Sequence, residues 1–394
     1  MAQNRACSKA IFPSAIIFFA AILLDVLLLS ATARAESVPD PLVPTADSQQ
    51  PKTSPAVHPR DDPGTPSSSS GAIVLTTSQL VDIQRRAKNG EAKAQYVLGA
   101  AYRSGGSPLG QDDAAALTWF RKAADQGSAD AQRELGNAYA RGKGVSQDYP
   151  RAARWYNKAA EQGDPLAAYE LGLFNLLGRG APRNEPRAFA WFGMSARKGI
   201  SAAQCALGFM YSKGQGVRRD LAQAFTFQRA AAEKGLPLAQ NELGVMYLRG
   251  EGTRRDPVEA ARWFLAGAQQ GDTDAQNNLG YLYDVGLGVK PDSREAVRWF
   301  RSAADLGDPV AQANLGGMYS RARGVPLDYV EAYKWFSLAA AQNLSAALQA
   351  RTSISSIMTP RQLKAAESRL RDWQQQHSVA IVQNPQERLV YLQP

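Results

Sequence analysis

The sequence predicts an all-α protein, a right-handed α-solenoid of about seven 36-residue helix-turn-helix repeats. Two recurring landmarks set the period. The pair Leu-Gly stands at Leu98-Gly99, Leu135-Gly136, Leu171-Gly172, Leu207-Gly208, Leu243-Gly244, Leu279-Gly280 and Leu315-Gly316, the first step being 37 residues and each later one 36. An aromatic residue follows without a slip at Trp119, Trp155, Trp191, Phe227, Trp263, Trp299 and Trp335. The single extra residue therefore lies in the loop near Gly105–Gly110. A fixed period in this range marks stacked units, none of which can bury its apolar face alone. The third observation is the helical periodicity inside each unit.

Residues 128–163 show that periodicity. Ala131, Leu135, Ala138 and Tyr139 form one apolar stripe of a first helix. Gly136 inside it costs about 1 kcal/mol of helix propensity against Ala, so close approach of a neighbouring helix is the expected compensation. The helix ends at Gly142-Lys143-Gly144, and Asp148 caps the second helix by accepting free N–H groups of its first turn. Asp112, Asn184, Asp220, Asp256, Asp292 and Asp328 hold the same place. Gln223, Glu259, Glu295 and Glu331, three residues on, are expected to complete capping boxes. The second helix buries Ala152, Tyr156 and Ala159 and stops at Gly163. The repeats fall near 91–127, 128–163, 164–199, 200–235, 236–271, 272–307 and 308–343.

Leu135-Gly136-x-x-Tyr139 followed by Ala152-x-x-x-Tyr156 resembles the tetratricopeptide pattern. The Gly-x-Gly loop, the Asp cap and the Trp-aromatic pair make the chain most similar to the Sel1-like repeat family, a tetratricopeptide relative, over about residues 91–343. Two departures stand out: Asn175 replaces the tyrosine of the third repeat, and Phe227-Gln228 replaces Trp-aromatic in the fourth. Both bear on local packing or a local surface role.

The solenoid is expected to run over 77–357, with half-repeat helices at each end, and 358–394 to form a capping helix and tail that keep the stack soluble. Residues 36–76, rich in Pro, Ser, Thr and Asp, read as a disordered linker that cannot offset the entropy of ordering. Residues 1–35 read as a signal peptide: Arg5 and Lys9, an apolar run over Ile11–Leu29, then Ala33-Arg34-Ala35. Cleavage after Ala35 makes the protein periplasmic or secreted. The alternative is a retained inner-membrane anchor, against which Asp25 argues. The chain has 45 basic and 36 acidic residues, and loss of Arg5, Lys9, Arg34 and Asp25 leaves a net +7. Acids and bases are interspersed, so no nucleic-acid partner is expected. Membrane contact is expected only through an uncleaved N-terminus. Cys7 leaves with the signal, so Cys205 remains alone and forms no intrachain disulfide.

No concentrated chemistry is evident. His58 and His377 both lie outside the repeats, which excludes a histidine relay or zinc site within them, and no cofactor or metal is expected. The Gly-x-Gly turns follow helices rather than strands, unlike phosphate cradles. Ser195-Ala-Arg-Lys198 matches the S-x-x-K nucleophile motif but lacks its Ser-Asp-Asn and Lys-Thr-Gly companions. It leaves a penicillin-recognising or murein-processing enzyme as one alternative, with polysaccharide or peptidoglycan binding as the other. The constant register of the tryptophans points to packing, and Trp263→Ala is expected to cost roughly 3–5 kcal/mol if the ring is buried.

The leading expectation is a non-catalytic protein–protein interaction scaffold or adaptor of the envelope. Solenoids present first helices along a concave surface, and the tetratricopeptide resemblance implies that positions two before Leu and two or five after it face that groove. The implied partner-binding residues are Arg133, Asn137, Arg141, Tyr169, Leu173, Leu177, Phe209, Asn241, Val245, Arg249, Asn277 and Tyr281. Leu166, Leu176, Leu238 and Leu248 add apolar character in the third to fifth repeats. An apolar centre with a polar rim suits a protein or peptide partner.

Overall fold

The computed structural model describes residues 75–105 and 108–390, with side chains as far as His377. The expected signal segment and nearly all of the linker lie outside the described residues. Among the described residues there are helices and no strands. After an entry helix, α1 (Thr77–Lys88), the hairpins run in pairs. They are α2 (Ala92–Ser104) with α3 (Asp113–Asp125), α4 (Ala129–Arg141) with α5 (Tyr149–Glu161), α6 (Pro165–Leu177) with α7 (Glu185–Arg197), and α8 (Ser201–Lys213) with α9 (Leu221–Glu233). The series continues with α10 (Pro237–Arg249) and α11 (Pro257–Gln269), α12 (Thr273–Val285) and α13 (Ser293–Asp305), then α14 (Pro309–Ser320) and α15 (Tyr329–Ala341). Helices α16 (Ser345–Ser355) and α17 (Pro360–Val390) close the chain. The fold is an all-α solenoid.

The described residues divide into two compact bodies, one holding 75–275 with 287–289 and one holding 276–286 with 290–382. In the first, each helix of α1–α11 packs on the next. In the second, α13 to α16 do the same, and Trp373 of α17 lies edge-on to Trp335, centroids 5.9 Å apart.

Every second helix opens on the expected Asp or Asn, as at Asp148, whose Oδ1 accepts from the Arg151 N–H at 2.8 Å. The capping boxes expected at Gln223, Glu259, Glu295 and Glu331 do not close. The N–H that each would accept from already donates to a tyrosine carbonyl of the first helix: Asp220 to Tyr211, Asp256 to Tyr247, Asp292 to Tyr283 and Asp328 to Tyr319. The glutamates turn outward instead, Glu259 to Arg262 at 2.6 Å and Glu295 to Arg298 at 2.5 Å.

The Leu-Gly glycine faces the second helix of its own hairpin. A methyl group on Gly136 would lie 2.5 Å from the Tyr156 ring, and one on Gly172 2.5 Å from the Phe192 ring. The deeply buried aromatic is therefore the residue after the recurring tryptophan: Tyr156, Phe192 and Phe264 are at most 1% exposed. Trp119, Trp155, Trp191, Trp263 and Trp299 are half-buried, because that position turns toward the hairpin's flank. Trp335 is buried. The full-burial cost attached to Trp263 passes to Phe264, whose truncation to Ala should cost roughly 3–5 kcal/mol.

Successive hairpins are held by two further contacts. The second glycine of the Gly-x-Gly turn, with positive φ, sits on the start of the preceding second helix; a methyl on Gly144 would lie 2.8 Å from the Asp113 carbonyl oxygen. A buried glutamine bridges the same junction. Gln132 donates to the Ala124 carbonyl at 3.2 Å and accepts from Gln162 at 2.7 Å. Gln95, Gln240 and Gln312 repeat the arrangement.

A glycine pressed on a ring and one pressed on a flexible chain should respond differently to a methyl group. Gly172→Ala should lower the urea midpoint by an amount equivalent to about 1–3 kcal/mol. Gly208→Ala, facing the Gln228 side chain, should cost distinctly less. Equal losses would show that the ring contact does not set the hairpin spacing.

Candidate functional site

The first-helix residues expected to meet a partner are set by the packing just described. In the first body, α4 supplies Arg133, Asn137 and Arg141, α6 supplies Tyr169, Leu173 and Leu177, α8 supplies Phe209, and α10 supplies Asn241, Val245 and Arg249. Asn277 and Tyr281 belong to the second body.

Tyr169 and Asn241 are 0% and 3% exposed and are core residues rather than contact residues. Their position, two before Leu, packs on the second helix of the same hairpin. The Tyr169 ring lies 5.6 Å from that of Phe192, as Tyr96 lies 5.9 Å from Phe120. Leu173 and Val245 are also buried. Two expected rim residues are committed within the stack. Arg133 pairs with Asp164 at 2.5 Å and Asp130 at 3.2 Å, and Asn137 donates to Glu134 at 3.3 Å while accepting from the Tyr156 hydroxyl at 2.8 Å. Leu177 is 39% exposed, and Phe209, Leu166, Leu176 and Leu238 are half-buried. Arg141 is exposed and Arg249 half-buried, 3.7 Å from Glu251. In the second body, Asn277 accepts from Asn314 at 2.8 Å and Tyr281 packs partly buried on the core.

The Sel1 repeat profile matches seven consecutive times, over residues 92–128, 129–164, 165–200, 201–236, 237–272, 273–308 and 309–344. The chain belongs to the Sel1 repeat family. Among solved structures it is similar to a Sel1 repeat protein from Oxalobacter formigenes, at 35% identity over 69% of this chain and 78% of that one, with a TM-score of 0.57. It is also similar to a protective antigen of uropathogenic Escherichia coli strains that displays an SLR fold, at 28% identity over 79% and 82% of the two chains, with a TM-score of 0.50. A comparison with curated proteins returned no match. Sel1 repeats are in general a non-catalytic protein-interaction fold, and this chain is a repeat protein of that kind.

Packing of the Sel1 repeats also decides the residues that resembled chemistry. Ser195 is fully buried and its hydroxyl donates to the Pro165 carbonyl at 2.7 Å, so it ties the two helices of its own hairpin together while Lys198 lies exposed at the helix end. Neither a free hydroxyl nor a facing lysine is present, and the S-x-x-K reading loses its nucleophile. Burial pushes the Cys205 thiol well above its ordinary range, the setting of an inert structural cysteine. Among the described residues no cluster of His, Cys, Asp and Glu has the geometry of a metal site. No described helix is long and apolar enough to cross a membrane, and the apolar run Ile11–Leu29 lies outside the described residues.

Two acids, Glu170 buried and Glu242 half-buried, escaped sequence reasoning. Glu170 and Glu242 stand immediately before Leu171 and Leu243, and burial raises each carboxyl to about 7; Arg141 and Arg179 oppose the shift at Glu170, and Asp274 adds to it at Glu242. An acid directly beside the repeated Leu, inside an apolar stripe, was the available signal.

The folded chain keeps the Glu170 proton up to about pH 7, whereas the unfolded chain releases it near 4.5. Stability is therefore lost as pH rises through that window, by on the order of 2–3 kcal/mol for such a group. Glu170→Gln should raise the melting temperature at pH 8 and give little or no gain at pH 4.5. A gain independent of pH would refute the buried neutral carboxyl.

Proposed function

We propose that this Sel1 repeat protein is a non-catalytic adaptor of the cell envelope that holds an extended protein segment against the first helices of its third to fifth repeats. One observation carries the reading: Leu177, with Phe209, Leu166 and Leu238, leaves apolar surface on helices whose invariant positions are used up by packing. Surface positions of a solenoid that differ from repeat to repeat are where partner choice resides. Apolar anchors of this kind suit a peptide segment rather than nucleic acid. The polar edge is narrower than the sequence suggested. It consists of Arg141 and Arg249, since Arg133 and Asn137 bond within the stack.

The envelope setting rests on the N-terminal segment, in which Ala33-Arg34-Ala35 follows the apolar run. The protein is exported and processed in this reading, with an inner-membrane anchor as the alternative. Intact-mass measurement of the protein recovered from cells should give a chain beginning at Glu36. A full-length chain extracted only with detergent would favour the anchor.

The adaptor reading is tested by photo-crosslinking from position 177 in cells, with Leu177→Glu as the comparison. Leu177 is exposed, so the charge should leave the melting temperature within about 2 °C while reducing crosslinking to a single protein partner at least tenfold. Unchanged capture would exclude this face. Capture of glycan rather than protein would favour the polysaccharide-binding reading.

A further inference from the structure

The third repeat departs from the others at one position of its first helix. Four residues after Leu the repeats carry Tyr102, Tyr139, Tyr211, Tyr247, Tyr283 and Tyr319, but the third carries Asn175. Beside Asn175 lies a cavity of about 480 Å³, lined among others by Ala153, Asn157, Arg187 and Trp191. That volume is within the range of small-molecule sites, about 300–1,000 Å³.

Each of these four residues is the register equivalent of one that touches the tyrosine in another repeat. The Tyr139 hydroxyl accepts from Arg121 at 2.9 Å, and Arg121 corresponds to Asn157. The Arg151 guanidinium lies 5.8 Å from the Tyr139 ring centroid, and Arg151 corresponds to Arg187. The Tyr211 ring stacks on Phe227 at 5.7 Å and meets Phe189 edge-on at 5.2 Å; these correspond to Trp191 and Ala153. The cavity is the tyrosine socket of the repeat without its ring. Asn175 does not refill it, because its amide donates back to the Leu171 carbonyl at 2.8 Å. Ala153, where the next two repeats carry Phe189 and Phe225, widens the socket further.

We propose that this socket binds a para-hydroxyphenyl group, the side chain of a tyrosine supplied by a partner or a free phenol of the same shape. The ring stacks on Trp191 with the Arg187 guanidinium over its other face, a cation–π arrangement that other repeats make internally. Its hydroxyl meets Asn157, which stands where Arg121 holds the hydroxyl of Tyr139. No acidic side chain lines the cavity, while Arg179 and Arg187 do, so a neutral or anionic ring is favoured over a cationic one. Asn175 shares α6 with Leu177, but the site uses none of the residues named for the proposed first-helix face and stands or falls independently of it.

The test uses the full chain and ligand-observed saturation-transfer NMR with p-cresol, toluene, and the peptide acetyl-Gly-Ser-Tyr-Ser-Gly-amide. Saturable p-cresol binding is expected, at least tenfold tighter than toluene. Asn175→Tyr restores the residue of the other repeats, and should abolish binding and raise the melting temperature. Ala153→Phe, which fills the same space from the neighbouring helix, keeps the test open if Asn175→Tyr fails to fold. Peptide binding at or above the p-cresol affinity identifies a partner's tyrosine as the occupant; p-cresol binding without peptide binding identifies a free phenol. Saturation transfer that is absent in the wild type, or equally strong in both filled variants, overturns the proposal.

Discussion

A side chain that is missing by design sets the geometry of this molecule. In every repeat but the fourth, the glycine after the leucine lets the ring of the second helix rest directly on the backbone of the first, with Tyr156 on Gly136 and Phe192 on Gly172. The cost of about 1 kcal/mol in helix propensity is outweighed by burying a whole aromatic side chain, worth roughly 1.5–3 kcal/mol. The Gly-x-Gly turn applies the same logic between repeats, since its second glycine leaves no room for a Cβ above the preceding helix start. One contact fixes the hairpin and the other fixes the step. Little freedom remains in the scaffold, so the positions free to vary are those neither contact uses.

The fourth repeat shows what happens when the ring is replaced. Gln228 occupies the aromatic place, 2% exposed, and its amide reaches the Cys205 carbonyl at 3.4 Å while its Oε1 has no partner. The glutamine bridge also changes here. Lys234 takes the place of the bridging glutamine and donates to the Gly199 carbonyl, leaving Gln204 Oε1 without a partner. An unsatisfied buried amide oxygen costs about 1–3 kcal/mol. The fourth repeat is therefore held by weaker contacts than its neighbours, next to the proposed partner face.

Local signals in the sequence were reliable where the backbone alone decides the outcome. The Asp and Asn caps sit where they were read, and so do the helix stops and the hairpin register, because each depends on residues within one turn. Readings failed where a second element competes for the same group. The capping boxes look complete in sequence, but the N–H they need is claimed by a tyrosine carbonyl of the preceding helix. Tyr169 and Asn241 look like groove residues by analogy, but the shallow Leu-Gly contact brings the second helix close enough to cover them. The half-buried tryptophans were mistaken for the deep aromatic for a related reason: Trp is the more conspicuous of two adjacent rings, and spacing alone cannot say which points inward. Glu170 and the bridging glutamines were visible as polar residues in an apolar stripe, but the carbonyl each glutamine donates to, as Gln132 does to Ala124, belongs to the preceding helix pair and spacing within one repeat does not reveal it.

The third repeat illustrates how function can be legible in a repeat protein only after superposition of the repeats. Asn175, Ala153 and Asn157 lie on two helices of two different repeats, and each alone passes for drift at a tolerant position. Placed in register, all three are deletions from one packing motif: the ring, the phenylalanine beside it and the arginine that holds its hydroxyl. Such losses occur in other copies too, the arginine at Gly193 and Leu265 and the phenylalanine at Ala261, but each of those leaves the tyrosine in place. Here they converge on a single socket whose remaining walls, Trp191 and Arg187, are of the kinds that meet the ring elsewhere, an aromatic as Phe227 meets Tyr211 and an arginine as Arg151 meets Tyr139. Loss of the packed group with retention of its receptor turns an internal contact into one that a separate molecule can complete.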